Sequence, residues 1–426
     1  MCRMSKVLII TYYWPPSGGG GVQRWLKFTK YLPEFGWEPF VYTPENPHFE
    51  VKDSSLENDV SDHVEVMKFP IWEPYYLIDK FKKKGHNQQS DVVRKGKASP
   101  LTKLMLWVRG NFFIPDPRKF WLKPSEKVIA EILQSNGIDK VITTGPPHSM
   151  HLIGLKLKQK YNIQWIADFR DPWSKWELLD TFHLSWWARK RHEKLERKVL
   201  DTADKVMSVS KNFAGELADI AGRHVEVITN GFDHEEFEQH SHLQPDEFII
   251  RHVGVVDELR DPRPVLKAIK ELHNEGKSYK LEFIGNVNKT LQSEIEEDDV
   301  LRHLITLRPY MPHAEVIKIY RRSAVLLLLS SYSKNAPGHI PGKLFEYLAS
   351  ERPILALGST EGDSAEIIKE IGAGVVCGPD EVQKLKDALV QMHEDYTSTI
   401  SKSTPDVSRF SRRNLTQKLA DLLNEL

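Results

Sequence analysis

Short runs of β-branched and aliphatic residues alternate along this chain with stretches whose apolar positions recur every three to four residues. The first run is Val7–Thr11. In the stretch after it, Val22, Trp25, Leu26, Thr29 and Leu32 fall at helical spacing, and Gly36 ends the pattern. Further strands are expected at Pro39–Thr43, Val64–Phe69, Lys140–Thr144, Gln164–Asp168, Lys205–Ser210 and Val225–Thr229. The helices between them include Glu126–Ser135, His151–Lys160 and Arg189–Leu200. The polar stretch Phe237–Asp246 interrupts the alternation, which then restarts. Strands Phe248–Val253, Leu281–Ile284, Leu304–Leu307, Ala324–Leu329, Pro353–Leu357 and Ala373–Val376 interleave with helices Pro264–Asn274, Leu291–Glu297, Ala314–Ser323, Gly342–Ser350, Ser364–Ile371 and Glu381–Glu394. A Ser/Thr/Pro stretch precedes a last amphipathic helix from about Arg412 to Leu426.

This alternation predicts an α/β protein with two Rossmann-like doubly wound domains. The expected limits are residues 1–242 and 243–405, with the helix in 406–426 returning towards the first domain. Doubly wound sheets take ligands outside the carboxyl ends of their strands, so two such domains facing each other would line one central cleft.

Composition narrows the choice of chemistry. A formal net charge of zero over 426 residues gives no reason to expect nucleic acid. Two cysteines, Cys2 and Cys377, are too few for a disulfide scaffold or a Cys-based metal site and fit a reducing cytoplasm. The apolar core Val7–Ile10 is short for a signal peptide, and no window reads as a transmembrane span. Asp79–Lys103 holds eight Lys/Arg against two acidic residues and reads as a basic loop. It is either a solvated insertion or a contact for an anionic membrane surface. Trp186 and Trp187 stand beside a basic helix and suit either a headgroup layer or a domain core.

Candidate chemistry begins with "YYWPPSGGGGVQRW", Tyr12 to Trp25. Gly18 and Gly20 fit the first two positions of a dinucleotide fingerprint, but Gln23 stands at the third, and no P-loop lysine follows. A glycine cluster at a helix start remains. Free N–H groups there favour an anion, and bare backbone admits a bulky ligand; the alternative is a plain flexible turn. In "HIPGKLFEYLAS", Lys343 and Glu346 share one face at the start of a helix. The helix dipole disfavours a cation at that end, and a pyrophosphate beside Lys343 would resolve the conflict. Glu346 could then accept hydrogen bonds from a ribose diol. An ordinary surface Lys–Glu pair is the alternative.

"PGKLFEYLASERPILALG", "PPSGGGGVQRW" and "VITNGFD" (Val227–Asp233), in this order and spacing, resemble the nucleotide-sugar site of GT-B glycosyltransferases, family 4 in particular. The resemblance covers nearly the whole chain. It implies sugar transfer from a nucleotide-diphosphate sugar (UDP- or GDP-sugar) to a glycan or lipid-linked acceptor, with retention, without a metal or other cofactor. The expected setting is the cytoplasm, peripherally at the inner face of the membrane. It assigns the ribose to Glu346, the leaving diphosphate to Arg260 with Lys343, and the phosphates and sugar to Gly19 and Gly20. Three positions depart from the family pattern: Gly338 replaces the earlier glutamate, Val255 the first basic residue, and Arg170 the histidine of the first domain.

The turn "ADFRDPW" adds Asp168, Arg170 and Asp171 as a cluster for sugar hydroxyls and proton transfer, with a structural Arg–Asp network as the alternative. In "TTGPPHSMH", His148 is a candidate donor or acceptor contact. A zinc pair with His151 lacks an evident third ligand. Two rival readings are a sugar-nucleotide epimerase of the same fold and a non-catalytic nucleotide-sugar-binding protein.

Overall fold

Successive side chains of "KVLII" point to opposite sides of a sheet, and both sides are apolar. Leu8 and Ile10 enter one buried cluster, Val7 and Ile9 another. A strand buried on both faces belongs at the centre of a parallel sheet covered by helices on each side. The computed structural model describes residues 4–49, 51–74, 100–241, 243–398 and 405–426. It contains two sheets, each entirely parallel in its paired strands.

The first sheet is built from β1 (Ser5–Ile10), β2 (Trp37–Pro44), β3 (Glu65–Phe69), β4 (Lys140–Gly145), β5 (Gln164–Phe169), β6 (Lys205–Ser208) and β7 (Glu226–Val227), in the order β3-β2-β1-β4-β5-β6-β7. The second contains β8 (Ile249–Val253), β9 (Lys280–Ile284), β10 (Ile305–Arg308), β11 (Val325–Leu329), β12 (Ile354–Leu357) and β13 (Gly374–Cys377), in the order β10-β9-β8-β11-β12-β13. Strand order reverses between β1 and β4 and again between β8 and β11. Those two switch points are where doubly wound sheets open a crevice for ligands.

The chain divides into two compact units, Met1–Thr229 with Arg413–Leu426, and Asn230–Arg412. The expected boundary after residue 242 therefore moves upstream. Phe232, before the polar stretch, and Phe237, at its start, are buried with Phe345 and Phe410 in the second core. The chain also leaves and re-enters this unit side by side. Phe232 N–H donates to the Phe410 carbonyl at 3.1 Å, and Arg412 N–H to the Phe232 carbonyl at 2.7 Å. Beyond that point Leu415, Leu419, Leu422 and Leu423 of the last helix, Arg412–Asn424, join Trp25 and Leu26 in the first unit's core.

Besides the short helices His234–Glu238 and Leu301–Leu304, two longer helices lie where the pattern places none. Lys211–Ala221 is capped by Ser210, whose hydroxyl accepts from Phe213 N–H. Pro100–Phe112 includes the last residues of the supposed basic loop. Residues 79–99 of that loop lie outside the described residues. Among the described residues no helix is long and apolar enough to cross a membrane.

Candidate functional site

The second unit gathers its candidate residues at the carboxyl ends of β8 and β9, beside the switch point. Chain direction changes sharply there: Gly254 has φ +134° and Gly285 φ +127°. A Cβ on Gly285 would stand 2.5 Å from the Gly254 carbonyl oxygen, so the two strand ends meet as bare backbone. The helix Gly342–Ala349 begins at this corner without any side-chain cap. Lys343 curls back from it, and its Nζ donates to the Val253 carbonyl at 2.9 Å. Burial of that ammonium, with Arg260 nearby, lowers its pKa to about 8. Arg260 follows the same strand end and is held by Asp257 at 3.2 Å, with about a third of its side chain exposed. His252, beneath them, is kept neutral by burial and by the charge of Lys343. The expected oddity of a lysine at a helix start is thus partly answered by the β8 carbonyl. Two cations and an uncapped helix start still share one corner.

Glu346 does not pair with Lys343. Its Oε2 accepts from the Tyr320 hydroxyl at 3.1 Å, and His313 approaches its Oε1 at 4.0 Å. About a quarter of its side chain is exposed. A surface Lys–Glu pair is therefore not what this helix presents: each side chain is aimed by a different neighbour. Asp257, Tyr320 and His313 are participants that the sequence did not suggest. Only Asp257 leaves a local trace, at three residues before Arg260. Of the positions that depart from the family pattern, Val255 is 45% exposed beside this corner, and Gly338 is buried in a short turn, Ala336–Gly338.

In the first unit the glycine loop joins β1 to the helix Gly20–Tyr31. Gly18 N–H donates to the Val51 carbonyl at 3.0 Å, and a Cβ on Gly18 would press on Val51 at 2.9 Å. Gly19 has φ +85° and opens the helix with no side-chain cap; around Gly19 and Gly20 the space for a Cβ is empty. The two glycines assigned to a ligand are the two with open space, and Gly18 is needed for packing.

The turn after β5 corrects the expected acid–base–acid cluster. Asp168 is fully buried. It receives Arg24 through Nη2 at 3.1 Å and Nε at 3.3 Å, Trp25 Nε1 at 3.0 Å and Thr144 Oγ1 at 2.9 Å. With four donors and no exposure it can neither touch a substrate nor take a proton from one. It fastens the glycine-loop helix to β4 and β5. Arg170 also has its donors in use. Nη1 donates to the Gly21 carbonyl at 2.7 Å, Nη2 to Pro146 at 2.6 Å and Nε to Gly145 at 3.4 Å. It clamps two loops at the first switch point. Asp171 is partly exposed.

His148 stacks flat on Trp173, ring centroids 4.9 Å apart, and is 6% exposed. Burial lowers its pKa to about 3, so the ring is neutral. The backbone of Pro172 offsets a small part of that burial effect, and no side chain among the described residues hydrogen-bonds the ring. His151 instead bonds Thr143 Oγ1 at 2.9 Å and stacks on Phe169. Among the described residues no group of three His, Cys, Asp or Glu side chains is set to hold a metal ion. His148 lines a cavity of about 150 Å³ with aromatic walls from Tyr13, Phe113, Trp173 and Trp176, and with Arg109 and Arg118 at its edge.

In the second unit Arg260, Lys343, an uncapped helix start and the quarter-exposed carboxylate of Glu346 lie near one strand end; in the first unit Gly19 and Gly20 leave open backbone at a helix start. The chain belongs to Glycosyltransferase Family 4, whose model matches residues 18–236; the model of Glycosyl transferases group 1 matches residues 233–405. Solved structures are similar in fold. Sucrose-phosphate synthase from Thermosynechococcus elongatus is 15% identical with a TM-score of 0.64, over 99% of this chain and 98% of that one. A glycosyltransferase from Rickettsia africae is 14% identical with a TM-score of 0.64, over 99% and 98%. Alr3699/HepE from Anabaena, solved with UDP and glucose, is 15% identical with a TM-score of 0.60, over 99% and 100%. At these identities the likeness shows the GT-B fold of two Rossmann-like domains. No curated protein matches the chain by sequence.

Proposed function

We propose that this glycosyltransferase moves a sugar from a nucleotide-diphosphate sugar to a glycan or lipid-linked acceptor at a membrane surface, with retention and without a metal. The observation that carries the reading is the corner of Arg260, Lys343 and the uncapped helix start, one turn from Glu346. In this reading Glu346, held by Tyr320, accepts from the ribose diol. Arg260 and Lys343 face the diphosphate. As the bond from the anomeric carbon to the phosphate oxygen breaks, negative charge grows on that oxygen. Fixed cations there stabilise the transition state more than the ground state. The departing phosphate takes the acceptor's proton as the acceptor oxygen bonds the anomeric carbon on the same face. The aromatic cavity beside His148 suits the acceptor. Its flat walls match the apolar face of a sugar ring, and a neutral imidazole can accept a hydroxyl hydrogen bond.

The HepE structure holds UDP and glucose, which makes uridine diphosphate the first nucleotide to titrate and guanosine diphosphate the second. Glu346→Ala should weaken binding of whichever nucleotide binds by about 1.5–3 kcal/mol, the range for a hydrogen bond to a charged group. Calorimetric titration measures it, and unchanged affinity would remove the ribose assignment.

A further inference from the structure

The first unit exposes large apolar side chains. On the helix Pro100–Phe112, Leu101 is 66%, Leu104 55% and Phe112 61% exposed. Trp186 and Trp187, opening the helix Trp186–Thr202, are 76% and 57% exposed. Contacts tie them to one face. The first helix packs on the second and on the turn Glu177–Phe182. Asn111 Oδ1 accepts from Ser185 N–H at 2.8 Å, directly before the two tryptophans. Phe112 meets Trp107 edge to face, and half-exposed Phe120 meets Trp72 in the same way.

Cations are threaded through this face. The Lys119 ammonium donates to the Phe112 carbonyl at 2.6 Å and lies over the rings of Phe113 and Phe120. Arg191 lies over the Trp187 ring and within electrostatic reach of Lys119. The helix Pro100–Phe112 has two charged residues, Lys103 and Arg109, both basic. The first turns of the other helix carry Arg189, Lys190, Arg191 and Lys194; Arg189 pairs with Asp180 at 2.6 Å and Lys190 with Glu193 at 2.9 Å.

Leu101, Phe112 and Trp186 are each more than 60% exposed, and large apolar side chains exposed near one another mark an interaction surface. A protein partner would favour an interface centre depleted of charge, with polar groups confined to the rim. Here cations and rings alternate across the face. Indole rings with basic neighbours match the layer where lipid phosphates lie above acyl chains. We propose that this face, formed by Pro100–Phe112, Phe120 and Trp186–Arg191, docks on an anionic lipid bilayer. The proposal rests on the reading of the acceptor as lipid-linked. Arg109, Gly110 and Phe113, from the same helix and its end, line the aromatic cavity beside His148. Docking would therefore set the lipid surface next to the pocket that takes the acceptor.

The test uses the full chain and vesicles of phosphatidylcholine, with or without phosphatidylglycerol. Wild type should sediment with the anionic vesicles, lose that binding as salt rises, and show blue-shifted tryptophan emission. The triple variant Phe112→Ser, Trp186→Ser, Trp187→Ser alters exposed side chains and should keep its circular dichroism. It should lower vesicle partition at least roughly tenfold. Lys103→Glu with Arg191→Glu should abolish the preference for phosphatidylglycerol. Equal partition of wild type and the triple variant overturns the proposal. So does a wild-type dimer, seen by light scattering, that the variant dissolves without any vesicle binding. Nucleotide titration of the same samples separates the two readings. Vesicle binding without nucleotide binding supports this face and counts against sugar transfer; nucleotide binding without vesicle binding does the reverse.

Discussion

Two charged clusters stand at corresponding places in the two units, and they differ in how completely the protein satisfies them. In the first unit Asp168 accepts from Arg24, Trp25 and Thr144 with no exposure, and Arg24 gives its remaining amino group to the Thr229 carbonyl at 2.9 Å. In the second unit, among the described residues, Arg260 is held by Asp257, Lys343 by the Val253 carbonyl and Glu346 by the Tyr320 hydroxyl with His313 at 4.0 Å, and none of the three residues is fully buried. A charge whose hydrogen bonds are filled by the protein fixes the fold. A charge held by one bond, with an open side, is aimed at something that arrives. By this criterion Asp168 and Arg170 of the "ADFRDPW" turn are read as scaffold, and the "PGKLFEY" helix is the one proposed as site.

The largest effect should come from breaking the filled cluster. Asp168→Ala leaves Arg24 buried without its counter-charge, and should cost about 3–5 kcal/mol of stability. Urea unfolding of the full chain reads this out, while nucleotide affinity in the second unit should not change. The comparison breaks if Asp168→Asn unfolds like wild type yet abolishes sugar transfer, since Asp168 would then be acting chemically.

A second test uses groups that are buried but not charged. His148 and His192 are held neutral by burial, with pKa values of about 3 and about 4. Their unfolded value is near 6.5, so below it the unfolded chain binds more protons and stability falls as pH falls towards the folded values. From pH 6.5 to 5 each should cost about 2 kcal/mol, at about 1.4 kcal/mol per pH unit. His148→Phe keeps the stack on Trp173 and should remove its share of the slope, as measured by denaturation at pH 7 and pH 5. An unaltered slope would mean that His148 binds its proton as readily in the folded chain as in the unfolded one.

Much of the second-unit site could be read from local spacing. Pro341 and Gly342 mark the helix start, and Lys343 and Glu346 follow within one turn. Tyr320, which aims Glu346, lies 26 residues away on another helix, and no periodicity links the two. The first-unit misreading has a similar cause. Arg24 sits in a run read for its apolar positions, and its partner is 144 residues distant. A buried arginine breaks the rule that polar positions face water, so the pattern cannot announce it. The helix Pro100–Phe112 escapes for the opposite reason. It keeps apolar side chains on its outer face, and an amphipathic pattern is the main signal of a surface helix. The existence of the strands was the most legible feature, because buried parallel strands write themselves as unbroken β-branched runs.

The smallest effect, and the finest test of the open cluster, concerns Lys343. Its pKa of about 8 means that near pH 8 roughly half of the chains carry it neutral before any ligand arrives. A diphosphate beside the ammonium favours the charged form and raises that pKa. Binding at pH 8 should therefore take up part of a proton, and affinity should fall as pH rises through 8. Lys343→Met should bind the nucleotide several-fold more weakly at pH 7 and show no proton uptake, since no titrating group remains at that position. Calorimetry at pH 8 in two buffers of different ionisation enthalpy measures the uptake directly. Equal heats in the two buffers for wild type would mean that Lys343 belongs to the Val253 carbonyl alone. The open cluster would then be reduced to Arg260 and Glu346, and the contrast with Asp168 would rest on exposure rather than on an unfilled charge.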